Sequence, residues 1–83
     1  MMMLPQNKMK EILDKEGAQK STKKAKEELS KSMITLGHLV AQKSVEYSKA
    51  ENRKTVNEND IERALNHVLF TYMEGKMYDK VTY

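Results

Sequence analysis

Eighty-three residues, 33% charged and 39% hydrophobic, make one small domain with a thin core, for which obligate pairing with another chain is the expected remedy. The absence of cysteine and the isolation of His38 and His67 exclude a disulfide framework and a thiolate metal site, so neither a metal centre nor a cofactor is expected. Fifteen basic against twelve acidic residues leave a net charge of +3, a mild bias toward a polyanion, and no apolar run reaches membrane length, so a soluble, cytoplasmic protein is expected.

Pro5 suits the first turn of a helix. Met9, Ile12 and Leu13 follow at helical spacing, and Gly17 reads as the stop. Residues 18–21 then form a connection, with Thr22 as the N-cap of the next element. From Thr22 to about Glu51 there is no proline and one glycine, while Ala25, Leu29, Met33, Leu36, Val40 and Tyr47 recur at helical steps. At roughly 1.5 Å per residue such a helix exceeds about 40 Å, more than one short helix on either side can cover. A second copy is expected to cover the remainder, with Leu29, Met33, Leu36 and Val40 in the shared core. Gly37, which costs about 1 kcal/mol relative to alanine in mid-helix, marks either a close crossing by another helix or a tolerated exposed position.

The turn that follows holds Arg53, Lys54 and Thr55 in a row. A guanidinium fork, an ammonium and a small hydroxyl are the groups that contact a DNA backbone. Arg53 and Asp60 lie seven residues apart across the turn, a spacing at which an ion pair can lock the loop to the third helix. Asn57 and Asp60 also have the spacing of a capping box. Ile61, Ala64, Leu65, Val68, Leu69, Tyr72 and Met73 keep helical register. Beyond Gly75, Met77, Tyr78 and Val81 are expected to continue a bent helix rather than fold back as a strand. This C-terminal stretch also gathers Phe70, Tyr72, Tyr78 and Tyr83, the type of side chain that anchors interfaces. Lys20, Lys23, Lys24 and Lys26 cluster around the first connection and the start of the long helix, where they oppose the helix dipole. Lys20 and Lys24 are the leading candidates among them for phosphate contact.

Short helix, long helix, short helix, with an Arg-Lys-Thr turn before the third, resembles the histone fold, and in particular the minimal histones of archaea. The landmarks run from Leu4-Pro5 through Gly17-Ala18, Ala25, Leu29, Gly37 and Ala41 to Arg53-Lys54-Thr55-Val56 and Asp60-Ile61. The resemblance implies an all-α histone fold over residues 1–67 that pairs as a handshake homodimer, or as a heterodimer with a paralogue. Ile61 and Leu65 would join the shared core. It further implies that the first loop of one subunit, with Lys20 and Ser21, meets the second loop of the other, with Arg53, Lys54 and Thr55, to hold double-stranded DNA by its backbone. In the family the Arg53–Asp60 clamp is structural.

Four departures stand out. Glu11 occupies a position where archaeal histones usually carry an arginine directed at the minor groove, an acid that Lys10 is expected to offset in part. Ala50 replaces a histidine at the dimer–dimer interface, and Tyr47 replaces a smaller aliphatic residue there. Residues 68–83 are additional to the minimal pattern and form a C-terminal extension. The expectation is an architectural protein of the nucleoid that compacts or bridges duplex DNA with little sequence specificity. Leu69, Phe70, Tyr72, Met73, Met77 and Tyr78 would join two dimers into a tetramer. The alternative is a histone-fold dimerisation module of a transcription or repair complex with little direct DNA binding. No acid–base pair, nucleophile or phosphate loop suggests an enzyme.

Overall fold

The computed structural model describes residues 4–71 and 73 of the chain. These form three helices, α1 (Gln6–Lys15), α2 (Lys23–Ala50) and α3 (Glu58–Thr71), as the periodicity predicts. Contacts divide the chain into two units, Met1–Gly37 and His38–Tyr83, and α2 contributes its first half to one and its second half to the other.

In the first unit, Pro5 takes φ −58° and ψ 136° immediately before α1, and its carbonyl accepts the amides of Lys8 and Met9 at 3.2 and 3.3 Å. Gly17 ends the helix as predicted, for a physical reason that is now visible. Its φ of +105° lies in the left-handed region that side chains disfavour. That turn lets the amides of Gly17 and Ala18 reach the carbonyls of Asp14 and Leu13 at 3.1 and 3.0 Å, a Schellman closure of the last turn. Thr22 caps α2, its Oγ1 accepting the Ala25 amide at 3.0 Å. Met9 is buried, and so is Ser30, whose Oγ accepts the Leu4 amide at 2.8 Å. That bond ties the segment before α1 to the long helix.

The second unit repeats the closing device with a different residue. Asn52, at φ 59°, tolerates the left-handed conformation better than most side chains. It brings its own amide to the Lys49 carbonyl and that of Arg53 to the Ser48 carbonyl, both at 2.9 Å. The buried residues here are Ser44 and Ser48 on α2 and Asp60 and Ala64 on α3. Both hydroxyls are satisfied inside their own helix, Ser44 donating to the Ala41 carbonyl at 2.8 Å and Ser48 to that of Val45 at 3.0 Å. In this unit the two buried residues on each helix are four apart and so lie on one face.

Met9 and Ala64 are the buried apolar residues among those described, while eleven large apolar side chains are more than a third exposed. Met33, Leu36, Ile61 and Leu65, expected in a shared core, are 38–43% exposed, and Leu29 and Val40 are half-buried. A β-carbon built on Gly37 would meet nothing within 4 Å, so nothing among the described residues crosses closely there. Leu69, Phe70 and Met73 are 45%, 64% and 63% exposed. Tyr72, Met77 and Tyr78, together with the helical continuation expected past Gly75, lie outside the described residues.

Candidate nucleic-acid interface

Between α2 and α3 the turn is organised by one buried carboxylate. Asp60 is fully buried. Its Oδ2 accepts Arg53 Nη1 at 2.9 Å and its Oδ1 accepts Arg53 Nη2 at 2.8 Å, two parallel bonds that fix the guanidinium plane. The same Oδ2 accepts the Asn57 amide at 2.9 Å, while the Asn57 side-chain oxygen accepts the Asp60 amide at 3.0 Å. Both sequence expectations, the clamp and the capping box, therefore converge on one side chain. The Arg53 hydrogen bonds, helped by the Asn57 amide, hold the Asp60 carboxyl down to about 2 despite burial, which acts the other way. Asp60 first and Glu51 second push the Arg53 guanidinium further toward its charged form.

Arg53 has five N–H donors, and all five are engaged. Besides the two on Asp60, Nε and Nη2 donate to Glu51 Oε1 at 3.1 and 2.9 Å, and Nη1 donates to the Thr55 carbonyl at 2.9 Å. An Arg53 contact to DNA thus requires one of these partners to leave. Lys54 and Thr55 are exposed, and Lys54 has no carboxylate within 4 Å among the described residues.

Sequence reasoning missed the continuation of this network. Glu51 Oε2 faces Arg63 Nη1 at 3.4 Å. The Arg63 guanidinium lies over the Tyr47 ring, 4.1 Å from its centroid, and Lys43 Nζ is 5.5 Å from the same centroid, all within cation–π range. The i,i+4 step from Tyr47 to Glu51 carried the signal, but its partner Arg63 comes from the next helix.

Around the first loop, Lys20, Lys23 and Lys24 are exposed, with Ser21 and Lys26 half-buried. Four lysines fall between positions 20 and 26 with no acid among them. None of the four has a carboxylate within 4 Å among the described residues, whereas Lys8, Lys10, Lys31 and Lys43 are each paired with an acid on their own helix. Lys10, expected to offset Glu11, instead binds Asp14 at 2.7 Å, and the partner of Glu11 is Lys8 at 3.7 Å. Lys20, Ser21 and Lys24 belong to the first unit, and Arg53, Lys54 and Thr55 to the second.

Three helices of these lengths, a clamped basic turn and a second basic loop define a histone-fold chain. It belongs to the family described as histone-like transcription factor (CBF/NF-Y) and archaeal histone, which matches residues 2–65. This is a non-enzymatic family of DNA-binding and dimerisation modules, associated with chromatin or the nucleoid. Helix α3 runs past the matched region to Thr71. No helix among the described residues is long and apolar enough to cross a membrane.

Proposed function

We propose that two copies of this chain pair as a handshake dimer that binds duplex DNA through its phosphate backbone, with little sequence specificity, and that compacts or bridges it. The observation that carries this reading is the uneven pairing of the lysines. Lys8, Lys10, Lys31 and Lys43 are each neutralised by an acid a turn away, while four lysines lie together between positions 20 and 26 with no acid among them and, like Lys54 and the helix-end Lys15 and Lys49, have no carboxylate within 4 Å among the described residues. Unneutralised ammonium groups flanking helix ends suit phosphate and carry no base-reading geometry. Lys20, Ser21, Lys24, Lys54 and Thr55 are the contacting residues in this reading, with Arg53 and Asp60 holding the turn in shape.

The extension past the matched region supports a second level of assembly. Leu69, Phe70 and Met73 are exposed next to a groove of about 410 Å³ lined by residues including Leu39, His67 and Val68. A surface of this kind suits contact between dimers, and a tetramer so formed could hold two duplexes at once.

The test is a double substitution, Lys20→Glu with Lys54→Glu, titrated against random-sequence duplex. Wild-type protein is expected to bind with log K falling by about 0.9 per phosphate neutralised as log salt rises. The variant is expected to lose binding while keeping its helical circular dichroism. A second reading, an interaction module with little DNA contact, is favoured by Glu11 and by the full engagement of Arg53. It would be upheld if a well-folded wild-type dimer failed to shift duplex DNA at moderate salt.

A further inference from the structure

The two edges by which Arg53 is held are chemically unequal. Its Nη1–Nη2 edge faces Asp60, which is fully buried and cannot exchange for an outside ligand. Its Nε–Nη2 edge faces a single oxygen of Glu51, whose side chain is 54% exposed. The same two-donor edge of a guanidinium is one that phosphate oxygens bind. The other Glu51 oxygen lies 3.4 Å from Arg63. Arg63 has a second hold on its position, the face of the Tyr47 ring at 4.1 Å, so it does not depend on Glu51 to stay in place. Two guanidinium groups therefore converge on one exposed carboxylate, beside the unpaired Lys54.

We propose that the Glu51 carboxylate occupies a further phosphodiester site formed by the Nε–Nη2 edge of Arg53 and the guanidinium of Arg63, and that a backbone phosphate of duplex DNA displaces it. This rests on the DNA-binding reading above and adds to it Arg63 and the outer edge of Arg53 as ligands and Glu51 as their competitor, while the inner edge of Arg53 still holds the turn. The exchange is physically reasonable, because an exposed ion pair contributes little, whereas a phosphate already held nearby by Lys54 arrives at high local concentration. Glu51 thereby sets the affinity of the turn for DNA while leaving the Asp60 clamp intact.

The full-length chain carrying Glu51→Gln, and separately Glu51→Ala, is titrated with random-sequence duplex by fluorescence anisotropy at a fixed salt concentration. Glu58→Gln serves as the control, since Glu58 is an exposed acid of the same unit with no ion pair among the described residues. Thermal melts verify that each variant is folded. The expected result is about tenfold tighter binding for both Glu51 variants, against about twofold or less for Glu58→Gln. Adding Arg63→Gln to Glu51→Gln is expected to remove most of the gain. Equal gains for Glu51→Gln and Glu58→Gln, or a gain indifferent to Arg63, would overturn the inference while leaving the DNA reading in place. Absence of binding by wild type and Glu51→Gln alike would overturn both. Binding that appears only in the Glu51 variants would uphold it.

Discussion

The Asp60 carboxylate holds the Arg53 guanidinium and the Asn57 amide at once. Its two neighbours in the chemistry, Arg53 at seven residues and Asn57 at three, are legible from spacing alone. Their convergence on one buried carboxylate is not, because each motif could be satisfied separately. Glu51 is harder still to read, since an acid at a helix end is ordinarily a solvated one, and its second partner Arg63 lies twelve residues away on another helix. The buried carboxylate also makes a pH prediction. Its pKa is depressed from 3.8 to about 2 in the folded chain, so its contribution to stability is fully present above about pH 4 and is lost as pH falls through 2. Asp60→Asn should lower the thermal midpoint at neutral pH much more than Glu51→Gln, and should flatten the acid limb of stability between pH 4 and 2. A variant that melts like wild type, with the same acid limb, would show that the clamp does not hold the turn.

Helix boundaries were readable because single residues punctuate them. Pro5, Gly17, Thr22 and Asn57 each stand where the structure places a start or a stop. The left-handed closure at Asn52 is not legible in the sequence, since asparagine is only one of several residues found at helix ends. The faces of α2 are legible only in part, for a physical reason. Hydrophobic periodicity picks out large apolar side chains, yet the residues α2 buries within its own chain are Ser30, Ser44 and Ser48, whose small size permits close approach and whose hydroxyls are satisfied locally or by the Leu4 amide. The stripe that periodicity finds is the one left over. At the end of α3 the same logic yields a prediction, because Phe70 and Met73 are exposed beyond the family match. Phe70→Ser with Met73→Ser is expected to halve the mass seen by light scattering, from tetramer to dimer, without loss of helicity. An unchanged tetramer mass would exclude these side chains from the contact, and a wild-type mass of a dimer would remove the tetramer itself.

At the scale of the molecule, a chain whose buried apolar residues among those described are one methionine and one alanine is expected to depend on another surface for its stability. Fully burying a leucine or isoleucine contributes about 1.5–3 kcal/mol. Met33, Leu36, Ile61 and Leu65, each about two-fifths exposed, stand to gain roughly two-fifths of that apiece when another surface covers them. Folding and pairing should then be one event, and the proposed DNA-binding surface, which in that reading draws on loops of two subunits, should exist only after it. The most direct measurement follows helical circular dichroism and sedimentation equilibrium together on the wild-type chain over a wide dilution series. The account predicts that helicity disappears in step with dissociation and that the unfolding midpoint rises with protein concentration. A monomer that keeps its full helical signal at the lowest concentrations would contradict it.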